Sequence, residues 1–106
     1  MITKKKIIRL DPKAGKEFYK FSVLVQRQFE GLFRALEFNG RLEFPEGKKL
    51  DKNLYEIRVS FQGQYRGFYA YIKKEYVIVL HLFRKKTQKT PLKNLKLSEK
   101  RLRKYE

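Results

Sequence analysis

The sequence predicts an α+β fold in one domain, residues 1–106, with the element order β-α-α-β-β-β-α. Two patterns predict it. Apolar residues recur at spacings of three and four in the first third of the chain, as in amphipathic helices. Three segments rich in Val, Ile, Phe and Tyr follow, with turn residues between them. We expect an antiparallel twisted sheet with a helical hairpin on one face, a C-terminal helix, and the other face open.

The N-terminal part should supply one strand and the hairpin. Lys6–Leu10 is short, apolar and β-branched, which favours a strand. Asp11–Pro12 suits the N-cap and first position of a helix, and the helical pattern continues to about Phe38. A break near Ser22–Val23 would split this pattern into two helices, and the residues leave its position open. Asn39–Gly40 should end the helix in a left-handed turn.

The C-terminal part should supply the meander and the last helix. Residues 41–53 contain Pro, Gly and many charges, which predicts a loop. Three strands are expected after it, at Leu54–Phe61, Tyr65–Ile72 and Tyr76–Arg84. Thr90 and Pro91 suit the N-cap and first position of the final helix, in which Leu95 and Leu102 form the apolar face.

Alternation along the strands predicts which side chains share the open face. In the first strand of the meander the apolar set is Tyr55, Ile57, Val59 and Phe61. In the last strand the more apolar set is Ile78, Leu80 and Leu82. Arg58 and Arg66 then face away from the hairpin, as do His81 and Lys85. We therefore expect these four side chains to converge on the open face.

Charge indicates a polyanionic partner. The chain has 27 Lys and Arg against 11 Asp and Glu, a net charge of +16, with most of the excess after residue 56. Nucleic acid is the first candidate and an anionic membrane the second. The membrane is disfavoured, because no apolar run of about 18 residues and no signal-peptide pattern is present.

The lack of cysteine and of several catalytic motifs limits the kinds of site that this sequence can form. The absence of cysteine excludes disulfides and cysteine-based metal sites, and it favours a reducing cytoplasm. We find no zinc-ligand spacing, Walker loop or nucleophile elbow, so metal, nucleotide and acyl-transfer chemistry have no support in the sequence. No cofactor is expected.

The segment 83–91, with the sequence FRKKTQKTP, follows the most apolar strand. It contains four cations and no acid, with hydroxyl and amide groups between them. Cations attract phosphate, and hydroxyls and amides add directed hydrogen bonds to its oxygens. The residues of this segment that we expect to contact nucleic acid are Phe83, Arg84, Lys86, Thr87, Gln88 and Lys89.

The chain resembles a known family in several segments. They are LYEIR (54–58), QYRGFYAY (64–71), VLHLFRKKTQKTP (79–91) and the tail PLKNLKLSEKRLRKY (91–105). With the helical pattern that ends in Asn-Gly, they are similar to the RelE/HigB toxins of bacterial type II toxin–antitoxin systems. The phage-derived branch is the most similar. Ser98 stands where that family often has Ala.

The resemblance implies a metal-independent endoribonuclease that cuts mRNA in the ribosomal A site and is neutralised by an antitoxin, often a small helix-turn-helix protein. In this chemistry the substrate's 2′-hydroxyl attacks the adjacent phosphate. Arg58 and Arg66 match the family's sheet arginines, and arginine binds phosphate through two parallel hydrogen bonds. Lys85 and Lys86 match its basic residues after the last long strand. Phe83 would stack on a base.

The proton-transfer groups have several candidates. His81 is the only histidine, and its ordinary pKa suits proton transfer near neutrality. A lone histidine in an apolar strand is more often structural. Tyr69 and Tyr71 are further candidates, although their alternation places them in the core, and Tyr105 stands one residue from the end.

Three classes of function stay open at this stage. The first is the ribosome-dependent ribonuclease toxin. The second is a non-catalytic protein that binds RNA or ribosomes, which the charge alone allows equally well. The third is a toxin of the same fold that poisons topoisomerase, as in the ParE branch. That branch generally lacks the concentrated basic segment. In a structural alternative, Arg58 only forms an ion pair with Glu56 or Glu75.

Overall fold

The computed structural model describes residues 3–89 and 91–106. Its elements, in chain order, are β1 (Ile7–Leu10), α1 (Pro12–Tyr19), α2 (Val23–Asn39), β2 (Gly47–Asp51), β3 (Leu54–Ser60), β4 (Gln64–Ile72), β5 (Tyr76–Lys85) and α3 (Leu92–Leu102), followed by a short 3₁₀ turn, Arg103–Tyr105. The α+β class is confirmed, with one further strand. No helix in the described ranges is long and apolar enough to cross a membrane.

The five strands form one sheet in the order β1-β5-β4-β3-β2. Strands β3 to β5 form the predicted antiparallel meander, and β2 adds a further antiparallel strand, whereas β1 runs parallel to β5. Ile7–Leu10 pairs with Tyr76–Val79 only, so within the described residues the rest of β5 has no neighbouring strand on that side. This short edge partner decides what the remaining backbone groups of β5 contact.

The helical pattern forms two helices, and local capping explains where each one begins. Asp11 accepts a hydrogen bond from the backbone N–H of Lys13 at 2.9 Å and begins α1 at Pro12. Ser22 accepts one from Val25 at 3.3 Å and begins α2. Gly40 ends α2 with a left-handed φ of 81°, as predicted.

The prediction of a loop over residues 41–53 is wrong in part, because β2 lies within it. Lysine-rich edge strands resemble loops in sequence, since one side of the strand stays in water. Gly47 begins the strand against Leu42, where an added Cβ would lie only 2.5 Å from the Leu42 Cβ. Glycine is therefore needed for this close approach.

The C-terminal helix begins one residue later than predicted. Pro91 occupies the N-cap position and Leu92 is the first helical residue, while the predicted cap Thr90 lies outside the described residues. Boundaries of this kind commonly differ by a residue.

The expectation that all helices pack on one face is wrong, because α3 lies on the other. One core cluster joins α1 and α2 to one face; its strand residues are Ile57, Val59, Tyr69, Val77, Val79 and Leu82. A second cluster joins α3 to the opposite face through Leu54, Phe68, Ala70, Ile78 and Leu80 around Leu102. The second face is therefore covered by α3 over one half and open over the other.

The predicted alternation of β5 is wrong for residues 77–80: Val77 and Val79 face the hairpin, and Ile78 and Leu80 face α3, the reverse of the prediction. From His81 onward the side chains lie on the predicted faces. Phe68 pairs with His81 but Tyr69 pairs with Val79, so Leu80 is an extra residue, a β-bulge. The bulge inverts the alternation after it. Leu82 therefore faces the hairpin, and Leu80 faces α3, as does Phe83.

Candidate functional site

The open half of the α3 face carries a cluster of charged side chains. We call Glu56, Arg58, Arg66 and Lys85 the basic cluster. Arg58 is paired with Arg66 across β3 and β4, and Lys85 lies opposite Gln64 where β5 ends. Strand pairing thus brings together three of the four predicted catalytic residues. The fourth, His81, lies elsewhere.

Glu56 is the centre of the basic cluster. Its side chain is only 1% exposed, and its Oε1 accepts a hydrogen bond of 2.8 Å from the Nε of Arg58. The Nε of Arg66 lies 3.6 Å from Oε2, too far for a hydrogen bond. The ion pair considered as a structural alternative for Arg58 is therefore present. Sequence analysis treated Glu56 only as that pairing partner; the position of Glu56 between two arginines follows from strand register.

Arg66 is buried yet incompletely paired. Its side chain is 8% exposed, and its Nη1 donates to the backbone oxygen of Tyr65 at 2.9 Å. Within the described ranges, neither the Nε of Arg66 nor the Oε2 of Glu56 has a hydrogen-bond partner. Burial lowers the pKa of Arg66; Glu56 raises it and Arg58 lowers it further. A buried cation that the protein neutralises only in part is suited to an incoming anion.

Lys85 is half-buried beside these arginines. Its pKa lies below the ordinary value, first because of burial and next because of repulsion by Arg66, with Glu56 opposing that effect. A lysine with a lowered pKa releases its proton more readily, which suits transfer to a developing oxyanion.

Arg58 has a second contact that holds it near the surface. Its guanidinium lies 5.6 Å from the centre of the Phe44 ring, and its side chain is 29% exposed. This cation–π contact orients the guanidinium while leaving part of it open to solvent.

The predicted RNA-binding residues divide into three groups. Phe83 is half-buried and packs edge-on against Phe68 at 5.2 Å. Arg84 points to the hairpin side, with its guanidinium 5.7 Å from the Tyr65 ring centre. The remaining four residues are exposed in the loop before α3: Lys86, Thr87, Gln88 and Lys89.

Two cavities meet at the basic cluster, each of about 580 Å³. The loop pocket lies between the cluster and the loop before α3; its lining is Gln64, Arg66, Lys85, Lys86, Thr87 and Gln88. The edge pocket lies between α2 and the free end of β3; its lining includes Arg27, Gln28, Gly31, Leu32, Pro45, Arg58, Val59 and Ser60. Both pockets share Gln64 and Arg66, so they form adjoining parts of one groove.

His81 is buried beneath α3 rather than on the open half. Its Nδ1 lies 2.9 Å from the Oε1 of Glu17, and its Nε2 accepts from the Nδ2 of Asn94 at 2.7 Å. The carboxylate partner assigns the proton to Nδ1. The ring stacks on Phe83 at 5.0 Å. The predicted convergence of His81 with the arginines is thus not observed, because α3 covers this part of the face.

Glu17 and Arg101 complete this second charged group. Arg101 donates from Nη1 and Nη2 to the two carboxylate oxygens of Glu17, both at 3.0 Å. The same two side chains satisfy the backbone of β5 where β1 has ended: Leu82 N donates to Glu17, and Arg101 donates to the oxygen of Leu80. We call Glu17, His81, Asn94 and Arg101 the edge network. It forms hydrogen bonds with backbone groups of β5 that lie beyond the end of β1.

The pKa of Glu17 reflects this environment. Burial raises it, but the hydrogen bonds from His81, Arg101 and Leu82 outweigh burial and leave the pKa at about 2. Sequence analysis missed Glu17, Asn94 and Arg101, because they come from α1 and α3 and meet only in the folded chain. The local signals for this pairing are that Glu17 is the single acid of α1 and that His81 is the single polar residue in the apolar run of β5.

The tyrosine candidates are all engaged in the fold. Tyr69 is buried in the core, which raises its pKa, and Tyr71 donates from its hydroxyl to the backbone oxygen of Gly40 at 2.8 Å. Tyr105 donates to the Oδ2 of Asp11 at 2.7 Å. Burial and this hydrogen bond raise the pKa of Tyr105 to about 12.

The family of the chain follows from its sequence profile. Residues 16–103 match the family "Phage derived protein Gp49-like (DUF891)", and the chain belongs to it. That range begins within α1 and includes α2, both charged groups and all of α3. A search of the curated proteins found no match.

The architecture is shared with a solved toxin structure. A mutant of the E. coli toxin RelE in the free state superposes with a TM-score of 0.72 at 20% sequence identity. The match covers 92% of this chain and 98% of that one. The chain therefore has a RelE-like fold. Together with membership of the phage-derived family, this fold confirms the resemblance found in the sequence.

Proposed function

We propose that this protein is the toxin of a type II toxin–antitoxin system and acts as a metal-independent, ribosome-dependent endoribonuclease on mRNA. One observation carries the proposal: three cations surround a single buried carboxylate on the open half of the sheet. Their charge exceeds what the protein itself neutralises. Family membership and the RelE-like fold support the same class.

The arginines are assigned to the phosphate. The 2′-oxygen of the RNA attacks the adjacent phosphorus and gives its proton to water, and the bond from phosphorus to the 5′-oxygen breaks. The products are a 2′,3′-cyclic phosphate and a free 5′-hydroxyl. Negative charge develops on the phosphoryl oxygens, where Arg58 and Arg66 stabilise it. Glu56 is too buried to touch the RNA and instead positions both guanidinium groups.

Lys85 is assigned to the leaving group. The departing 5′-oxygen needs a proton, and Lys85 has a lowered pKa next to the arginines. The exposed loop residues Lys86 and Lys89 attract the RNA backbone, while Thr87 and Gln88 add directed hydrogen bonds. Phe83 borders this surface and is assigned to base stacking.

For His81 the geometry favours positioning over proton transfer. Both ring nitrogens have protein partners, and the ring is 5% exposed. A proton-transfer role would require α3 to move away. The role of His81 in catalysis stays a prediction, which His81→Gln tests.

The partners follow from the same assignment. The substrate is mRNA on the ribosome, in the cytoplasm, and the inhibitor is a cognate antitoxin, for which a small helix-turn-helix protein encoded next to this gene is expected. No cofactor enters the proposed chemistry, and no membrane partner is proposed.

Induction of the protein in bacteria tests the class of function. We expect growth arrest with loss of amino-acid incorporation while the DNA stays intact. Continued incorporation in arrested cells would refute the ribonuclease. Broken DNA would instead identify a topoisomerase poison, and translation arrest with uncut mRNA would identify a non-catalytic ribosome binder.

A further inference from the structure

We infer that the edge pocket receives the base of the nucleotide next to the scissile phosphate, an inference that rests on the proposed function. The edge pocket and the loop pocket share Arg66. A phosphate held by Arg66 therefore places the neighbouring nucleotide at the mouth of one pocket and the continuing backbone in the other.

The two pockets have different linings, and the difference indicates which part of a nucleotide each pocket would bind. The loop pocket is lined by polar and cationic side chains, which suit sugars and phosphates. The edge pocket adds an apolar wall of Leu32, Pro45 and Val59 beside the polar groups of Gln28 and Ser60. A nucleobase needs both an apolar contact for its faces and hydrogen bonds for its edge.

The free end of β3 supplies the hydrogen-bonding edge. Pairing with β2 extends only to Ile57, and the next outward backbone N–H, that of Arg58, donates to the oxygen of Glu46 at 2.8 Å. Alternation then directs the N–H and C=O of Ser60 outward, beyond the end of β2. Adjacent donor and acceptor groups on a strand edge match the donor and acceptor pattern of a base.

Gly31 keeps the pocket open. It lies within α2 and lines the pocket, and a Cβ built on it would have no neighbouring atom within 4 Å. Close packing therefore does not explain the glycine. Gly15 in α1 has the same open surroundings but does not line the pocket, so it provides a matched control.

Charge favours RNA over a protein strand as the occupant. Three arginines line the edge pocket, and Glu46 is the one acid among the lining residues. Arg27 is partly neutralised by Glu30 at 2.8 Å, whereas Arg66 retains an unpartnered donor within the described chain. The pocket adjoins the basic cluster at Arg58 and Arg66, as expected when those arginines bind the phosphate of the same nucleotide.

Single-turnover cleavage of mRNA on programmed ribosomes tests the inference. The mRNA carries an abasic nucleotide on either side of the cut, and three proteins are compared: wild type, Gly31→Leu and Gly15→Leu. One abasic position should slow the wild type and Gly15→Leu by about tenfold or more, as expected when pocket contacts are lost. Gly31→Leu should cut intact mRNA about tenfold more slowly and show no further loss with the abasic mRNA.

The possible failures are distinguishable. Wild-type cleavage that ignores both abasic positions overturns the base pocket, leaves the ribonuclease intact and favours a peptide strand as occupant. Equal behaviour of Gly31→Leu and Gly15→Leu overturns it as well. No cleavage of intact mRNA by the wild type would refute the proposed function itself. If Gly31→Leu melts at a lower temperature, Gln28→Ala, which shortens an exposed side chain of the edge pocket, replaces it in the same comparison. Slower cleavage of intact mRNA with a smaller abasic loss supports the pocket, and behaviour equal to that of Gly15→Leu overturns it.

Discussion

The two halves of the α3-side sheet face each hold a carboxylate beside arginine, Glu56 buried and Glu17 half-buried, but they differ in charge balance. In the covered half, Arg101 binds both oxygens of Glu17 at 3.0 Å. In the open half, Glu56 accepts one hydrogen bond from Arg58 and stands 3.6 Å from Arg66. The edge network has its charges paired within the protein, whereas the basic cluster has three cations for one acid.

The difference in charge balance indicates which of the two clusters has a structural role and which has a functional one. Within the described chain each half leaves the Nε of one arginine, Arg66 or Arg101, without a hydrogen-bond partner, so the halves differ in charge balance and not in this feature. An ion pair whose charges balance within the protein fixes the packing of the elements that carry it. A cluster with excess positive charge is stabilised further by an external anion. We therefore assign the edge network to holding α3 in place and the basic cluster to binding phosphate.

The largest expected effect is on stability, from breaking the edge network. Arg101→Ala leaves the half-buried carboxylate of Glu17 without its bidentate partner and the backbone oxygen of Leu80 without its side-chain donor. We expect a loss of about 3–5 kcal/mol in the free energy of unfolding. Urea denaturation measures it. The exposed neighbour Arg103→Ala should change stability by less than about 0.5 kcal/mol; equal effects would contradict the assignment.

The next effect is on activity, from removing a phosphate clamp. Arg66→Ala should lower cleavage on programmed ribosomes by about 10²–10³-fold, because stabilisation of phosphoryl charge is lost. It also leaves Glu56 unpaired on that side, so some stability should be lost. Adding Glu56→Gln removes the buried charge and should restore the melting temperature but not the activity. Recovery of both would show that Arg66 is only structural.

A smaller effect should appear in acid. The pKa of Glu17 is lowered from 4.5 to about 2, so its ionised form stabilises the fold fully above pH 4.5. That contribution should be lost as the pH falls from 4.5 towards 2, by roughly 2 kcal/mol. Acid denaturation followed by circular dichroism should be less steep in this window for Glu17→Gln. Asp11, whose pKa is also lowered, adds a separate contribution that Asp11→Asn identifies.

The smallest effect concerns salt. Each phosphate neutralised on a single strand contributes about −0.7 to the slope of log K against log salt concentration. Replacing Lys85 and Lys86 by Glu should weaken RNA or ribosome binding and make the slope less steep. The pair Lys73 and Lys74, in the turn between β4 and β5, provides the control. A flat slope for the wild type would show that the excess charge does not bind a polyanion.

Periodicity in the sequence predicted the open half of the α3-side sheet face better than the covered half. Arg58 and Arg66 could be placed together because regular β3 and β4 obey alternation. The bulge at Leu80 could not be foreseen, since one extra residue changes no composition and inverts the strand after it. Strand β2 was missed because its lysines resemble a loop.

The edge network escaped prediction for a different reason. Glu17 and Arg101 are 84 positions apart and meet only because β1 is too short to cover β5. Single-sequence patterns report local structure, whereas this pairing depends on which backbone groups the finished sheet leaves free. The covering of His81 by α3 follows from the same long-range packing.

The most direct test of the account compares one residue from each half. Single-turnover cleavage on programmed ribosomes is measured for Arg58→Ala and His81→Gln, well below their melting temperatures and per folded molecule. We expect Arg58→Ala to lose about 10²–10³-fold in rate per folded molecule, and also to melt earlier because the buried carboxylate of Glu56 loses its hydrogen-bond donor. We expect His81→Gln to melt earlier but keep a rate near that of the wild type. A loss of about 10²–10⁴-fold for His81→Gln at an unchanged melting temperature would contradict the account and make His81 a proton-transfer group.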